Sequence, residues 1–219
     1  EGSELREGKF SFKRAQIGTG DFNFEMAEFN GVEAVFDRTS FGTGDVSFRQ
    51  SSFSVLSLKS CHLDHYFDLR VRKCHKLDLS DTVVRDIIDL KPYDHQVDIG
   101  VLNMSGMRLL GAVYIDWEEN QVKRMIASQE ATSLAEKSEQ FRLLKENFNH
   151  NGQYNEEDRS YVEFKRYESR WLLRKSLSKS RWNALWQYPW YGFKWVILDF
   201  AGLYATSPLR VLIAMLVWY

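Results

Sequence analysis

The chain has 219 residues, with 29 Lys and Arg against 30 Asp and Glu, a formal net charge of −1, and 7 Trp, 10 Tyr and 15 Phe. That length holds one sizeable domain with appendages or two small ones. Its two cysteines are too few for a disulfide framework and fit a reducing compartment. The near-neutral total hides a gradient: residues 1–100 carry 13 basic against 17 acidic residues, and residues 161–219 carry 9 against 3. An acidic body with a basic tail predicts that the tail meets something anionic. Glu1-Gly2-Ser3-Glu4 has no apolar core and no initiator Met, so the expectation is a chain that starts inside a longer protein without a signal peptide.

From residue 15 to residue 115 a spacing of five recurs, with a bulky apolar residue at the centre and a small or apolar one two positions earlier. Ala34-Val35-Phe36, Thr39-Ser40-Phe41, Gly44-Asp45-Val46, Ser51-Ser52-Phe53, Leu56-Ser57-Leu58 and Cys61-His62-Leu63 follow it. Val97-Asp98-Ile99, Leu102-Asn103-Met104, Met107-Arg108-Leu109 and Ala112-Val113-Tyr114 close the series. The register slips around Phe29 and Phe53 and is lost between Asp64 and Lys76. A period of five is neither helical nor simple strand alternation. It predicts a coil that turns a corner every five residues, with the central residue and the one two earlier facing inward. An irregular all-β domain is the alternative. The triplets, among them Ala27-Glu28-Phe29, resemble the pentapeptide-repeat family over roughly 100 residues. That resemblance implies a right-handed square β-helix, here over 10–120, and solenoids of this kind serve as spacers or binding surfaces.

The one arrangement resembling a metal set is Cys61, His65, Cys74 and His75, since thiolate and imidazole ligands suit zinc. Its spacing argues against the metal: Cys61 takes a small inward slot while His62 beside it points out. The expectation is a buried thiol beside solvated histidines, with no metal and no cofactor. Asp116-Trp117-Glu118-Glu119 has carboxylates but no accompanying base, nucleophile or phosphate loop, and is read as a cap with Trp117 over the last coil. Asp78, Asp81, Asp86 and Asp89 read as a solvated face. No nucleotide, metalloprotease or hydrolase motif is present, and the expectation is a protein that is not an enzyme.

Over 121–181 the period becomes helical. Ser133 and Glu136 form a predicted capping box, opening a helix through Phe148 that stops at Asn151-Gly152. Asn155 is the expected cap of a second helix, whose acidic first turn Glu156-Glu157-Asp158 suits the helix dipole. The pair reads as a helical hairpin resembling a single tetratricopeptide-like unit. The second helix runs into Lys165, Arg166, Arg170, Arg174, Lys175, Lys179 and Arg181, a basic cluster.

Seven aromatics follow in 182–195: Trp182, Trp186, Tyr188, Trp190, Tyr191, Phe193 and Trp195. Trp and Tyr gather where a ring finds apolar surroundings and its polar tip finds water, as at a bilayer interface. Residues 182–206 therefore read as an interfacial helix, with Arg170, Arg174, Lys175, Trp182, Trp186, Trp190, Tyr191 and Trp195 as membrane-interface residues. Ser207-Pro208 is a helix start, and the apolar run to Tyr219 reads as a transmembrane helix cut short in 207–219. The positive-inside rule puts residues 1–181 in the cytoplasm of a cell-membrane protein.

The stretches Gln140-Phe141-Arg142-Leu143-Leu144-Lys145, Gly152 to Asp158, Phe164-Lys165-Arg166 and Gly202 to Val211 look like the region before the pore in bacterial pentapeptide-repeat membrane proteins. Some of these are similar to two-transmembrane potassium-type channels. The resemblance implies the cytoplasmic and membrane-proximal portion of an ion channel, a homo-oligomer and, if channel-like, a tetramer. The alternative is a membrane-tethered scaffold that offers its solenoid to a protein partner and conducts nothing. The lipid bilayer is an expected partner and nucleic acid is not.

Overall fold

Alternation places every second side chain of a strand on one face, and between residues 27 and 115 the buried side chains come in such pairs. Ala34 and Phe36, Val46 and Phe48, Leu56 and Leu58, Cys61 and Leu63, Leu77 and Leu79, Ile88 and Leu90, and Leu102 and Met104 are all buried. The structure, a computed structural model, describes residues 8–179, 183–196, 199 and 203–206. The chain divides into two compact units, Glu1–Thr132 and Ser133–Tyr219.

The first unit is a parallel β-solenoid of about four turns. One sheet stacks β1 (Gly8–Ser11), β3 (Glu28–Val35), β5 (Ser52–Ser57), β8 (Lys73–Asp78) and β11 (Asp98–Asn103). A second stacks β2 (Phe22–Asn23), β4 (Val46–Ser47), β7 (Phe67–Asp68), β10 (Ile87–Asp89) and β13 (Ala112–Tyr114). A third holds β6 (His62–Leu63), β9 (Val83–Val84) and β12 (Arg108–Leu109), extended by bridges Gln16–Ser40 and Ser40–His62. Phe10 pairs with Ala34, Ala34 with Leu56, Leu56 with Leu77 and Leu77 with Leu102, so successive coils take 24, 22, 21 and 25 residues. Parallel pairing lets like residues stack. Phe24 lies flat on Phe48 at 5.5 Å, and Phe29 on Phe53 at 5.2 Å.

One corner repeats along the whole solenoid. Arg14, Arg38, Ser60, Asp81 and Gly106 have φ of 60°, 58°, 56°, 57° and 71°, the left-handed third position of a tight turn. Turn bonds such as Thr39 N–H to the Phe36 carbonyl (3.0 Å) and Met107 N–H to the Met104 carbonyl (3.2 Å) close it. Small polar inward residues satisfy the corner carbonyls: Thr39 Oγ1 donates to Phe12 O at 2.6 Å, Cys61 Sγ to Phe36 O at 3.0 Å and Thr82 Oγ1 to Leu79 O at 2.6 Å.

The expected register holds at most triplets and fails at two. Val46 faces inward with Phe48 and not with Gly44, and Tyr114 points out while Val113 and Ile115 are buried. An extra residue causes the second slip: the Leu110 and Gly111 amides both donate to the Val84 carbonyl, at 2.8 and 3.1 Å, which turns the following side chains by one position. The expected solvated aspartate face is also corrected, because Asp89 is buried. Trp117 is buried at the end of the last coil, and Asp116 Oδ1 accepts from the Glu118 and Glu119 amides at 2.9 Å each. α1 (Val122–Ala127) packs on β11 and buries Val122, Met125 and Ile126.

The second unit holds α2 (Leu134–His150), α3 (Tyr154–Lys179), α4 (Asn183–Lys194) and a short 3-10 turn at Leu203–Ala205. The capping box is formed: Ser133 Oγ accepts from the Glu136 amide (3.2 Å), and a Glu136 carboxylate oxygen from the Ser133 amide (2.7 Å). α2 ends in a Schellman closure, with Gly152 at φ 70°, its amide bonding Asn149 O (3.1 Å) and the Gln153 amide bonding Phe148 O (2.8 Å). α3 starts two residues earlier than a cap at Asn155 predicts. Gln153 O accepts from the Glu157 amide at 2.9 Å, which leaves Asn155 inside the first turn. Phe141, Leu144 and Phe148 of α2 are buried, with Phe141 stacked on Tyr167 of α3 at 5.5 Å. Among the described residues no helix is long and apolar enough to cross a membrane; the helix expected from Ser207-Pro208 falls outside the described residues.

Candidate functional site

The basic cluster does not act as one body. Arg170, Arg174 and Lys175 are exposed on the C-terminal half of α3. The Arg170 guanidinium lies over the Tyr167 ring at 5.6 Å and the Lys175 ammonium over Trp171 at 4.8 Å, so both charged heads rest on aromatic faces. Arg166, expected among them, is engaged by carboxylates of its own unit. Its Nε donates to both Asp199 carboxylate oxygens (2.9 and 3.0 Å), Nη2 to Asp199 Oδ1 (2.6 Å) and Nη1 to Glu163 Oε1 (2.7 Å). Asp199 and Glu163 are each 6% exposed. This arginine is a tie within the second unit, and its partners hold its guanidinium protonated well above the usual range.

α4 carries the aromatics. Tyr188, Trp190 and Phe193, followed by Trp195 and Val196, are about half exposed. Trp190 stacks on Phe193 at 5.7 Å, and Tyr191 is half-buried. Three half-exposed rings on one short helix leave α4 with an exposed aromatic surface. Trp182 and the side chain of Trp186 lie outside the described residues.

The four residues weighed for zinc are not brought together. Cys61, before β6, and Cys74, in β8, are both buried and line different sheets, while His75 is exposed. Burial pushes the Cys61 thiol up to about 11 and the Cys74 thiol to about 12. Among the described residues no group of three His, Cys, Asp or Glu is placed to hold a metal ion.

The solenoid has a built polar site that the repeat pattern conceals. The coil from Leu77 to Leu102 is four residues longer than the one before it, and the excess forms the segment 91–97. Asp94 pairs with Arg49, and its Oδ1 lies 2.7 Å from His95 Nδ1 and 3.9 Å from Arg70. His95 Nε2 lies 2.7 Å from the Arg70 carbonyl oxygen. Arg70 Nε donates to Asp68 at 2.9 Å, Tyr66 donates to Asp89 at 3.0 Å, and Tyr93 lies over the Arg70 guanidinium at 5.5 Å. Asp68 and Asp89 are buried here. Burial, the larger effect, raises Asp89 against its bonds from the Lys91 amide and Tyr66.

Beside this anchor lies a cleft of about 620 Å³ lined by Asn30, Gln50, Ser52, Arg72, Lys73, His95, Gln96 and Asp98. Tyr66, Asp68, Arg70, Arg72 and Lys73 all fall in the stretch where the five-residue period fails. The signal was there: Leu90 and Val97 stand seven apart with Pro92 between them, an insertion on one corner. No protein-family profile matches the chain, and no characterised protein or solved structure is detectably similar to it.

Proposed function

We propose that this chain is the membrane-proximal part of a membrane-attached protein, in which a solenoid scaffold is held at the bilayer through α3 and α4. The observation that carries this reading is the half-exposed ring set Tyr188, Trp190, Phe193 and Trp195 on a unit that also exposes Arg170, Arg174 and Lys175. Rings with polar tips seat at headgroup depth, and cations beside them meet anionic lipid. Trp182 and Trp186 belong to the same proposal by sequence, as does a transmembrane helix from Ser207-Pro208. The solenoid is read as the square pentapeptide-repeat type: the inward pairs Ser51/Phe53, Leu56/Leu58, Cys61/Leu63 and Phe67/Leu69 make four sides to one coil.

Sedimentation with vesicles of mixed neutral and anionic lipid tests the membrane reading. The chain pellets with anionic vesicles, Trp190→Ala weakens this, and Arg170→Gln, Arg174→Gln and Lys175→Gln each cost up to ~1 kcal/mol of binding. Equal binding by all variants, or none by the parent, overturns it. The ion-channel reading, with a homo-tetramer in the cell membrane and residues 1–181 in the cytoplasm, is carried by the resemblance of residues 140–166 and 202–211. Ion flux across liposomes holding the full-length protein tests it. A monomer in mild detergent that passes no ions leaves the tethered scaffold for a protein partner.

A further inference from the structure

We infer that the cleft between segment 91–97 and the outer face of β5, β8 and β11 binds a small oxyanion, a phosphate or carboxylate group, through Lys73 and Arg72. The argument is one of charge left over. Ser52, Lys73 and Asp98 are register neighbours across the three strands. The two carboxylates at the border are already engaged: Glu28 accepts from Arg72 Nη2 at 2.5 Å, and Asp98 lies 3.8 Å from Arg124. Lys73 is exposed and has no carboxylate within ion-pair distance among the described residues. The unbalanced charge facing the cleft is therefore positive.

The hydrogen-bonding groups match. Arg72 spends Nε on Ser52 Oγ (3.3 Å) and Nη2 on Glu28, which leaves further guanidinium N–H groups. The carboxamides of Asn30, Gln50 and Gln96 line the same space, and each offers two more donors. A volume of about 620 Å³ is that of a small-molecule site.

The wall opposite the strands is fixed. His95 is held between Asp94 and the Arg70 carbonyl, and Asp94 is paired with Arg49. A loop held by these contacts keeps the His95 ring in place before a ligand arrives, so less ordering cost falls on binding. Nothing in stacking the coils calls for those four extra residues, since the preceding coil closes in 21.

Amide chemical shifts of the full chain, followed during separate titrations with inorganic phosphate and with succinate at constant ionic strength, test this. Saturable shifts are expected at residues 72–73 and 95–98. Lys73→Gln weakens binding about tenfold, the scale of one charge-assisted hydrogen bond. Arg72→Gln weakens it further because Glu28 is then released. Asp98→Asn leaves binding equal or tighter. The phosphate and succinate arms tell the two groups apart by which saturates lower. Shifts that stay linear with both anions, or that Lys73→Gln leaves unchanged in a variant whose remaining spectrum is intact, overturn the proposal.

Discussion

At the scale of single residues, the repeating corner concentrates backbone strain. A left-handed backbone costs an ordinary residue about 1–2 kcal/mol, and only Gly106 among the five stacked corner residues avoids it. Glycine returns about 0.4–1 kcal/mol of that as unfolded-state entropy, so the steric term wins by a small margin. Arg38→Gly, at an exposed corner with φ 58°, should raise the urea midpoint by the equivalent of about 0.5–1 kcal/mol. Gly106→Ala should lower it, because φ of 71° is strained for any residue that carries a Cβ. The five-residue period predicts a corner, but not its left-handed backbone, since Arg14 and Arg38 carry no preference for that conformation. Two buried partners of the corner, Thr39 and Cys61, were legible as small inward residues, but their hydrogen bonds were not.

Acid stability also resolves to single residues. Burial pushes the Asp78 carboxyl upward, yet hydrogen bonds from Ser80 and the Lys76 ammonium 3.1 Å away outweigh it and hold the group below the usual carboxylate range. The Ser133 amide and hydroxyl do the same for Glu136. A depressed folded value means the stabilisation is complete above the unfolded pKa, about 4 for either acid, and is lost as pH falls through the folded value. Asp89, raised by burial, works the other way and binds its proton more readily folded. Asp78→Asn should therefore flatten the loss of stability below about pH 4 in denaturant titrations, whereas Asp89→Asn acts only above about pH 4, between the unfolded value and its raised folded one, where it should remove a gain in stability on acidification.

At the scale of elements, what the sequence disclosed depended on whether a feature is local. The capping box at Ser133 and the glycine stop at Gly152 are short-range chemistry, and both stand where the residues put them. Ser133→Ala should cost about 1 kcal/mol, read as a lowered melting midpoint of the helical unit. The Arg166–Asp199 tie joins residues 33 apart, and nothing in either neighbourhood announces it; by pattern Arg166 is one more cation of a basic face. Asp199→Ala leaves the guanidinium with Glu163 alone. Losing a charge-assisted bond of this kind costs about 1.5–3 kcal/mol, so this change should destabilise the second unit beyond any of Arg170→Gln, Arg174→Gln or Lys175→Gln. Thermal melting followed by helical circular dichroism would rank them.

Over the whole molecule, the solenoid is better closed at its C-terminal end than along its first coil. α1 and Trp117 cover the last coil with buried side chains, whereas Phe12 is 40% exposed and Met26 70%. In a stack whose coils touch only their neighbours, stability falls toward the less covered end. Amide hydrogen exchange should accordingly be slowest in β5, β8 and β11 and fastest in β1 and β2. Uniform protection along the whole solenoid would instead mean a single cooperative block.

The unequal coil lengths, 24, 22, 21 and 25 residues, bear on how such a protein acquires a site at all. Closing a flexible loop costs free energy only as the logarithm of its length. Lengthening a coil from 21 to 25 residues therefore adds on the order of 0.2 kcal/mol, far less than one buried methyl group contributes. A corner can thus gain a segment such as 91–97 while the strands above and below keep their partners, and the inward pairs never sense the change. Each corner of each coil is in this way a separate place for trial and loss, and the hydrophobic column fixes only where the next turn must resume.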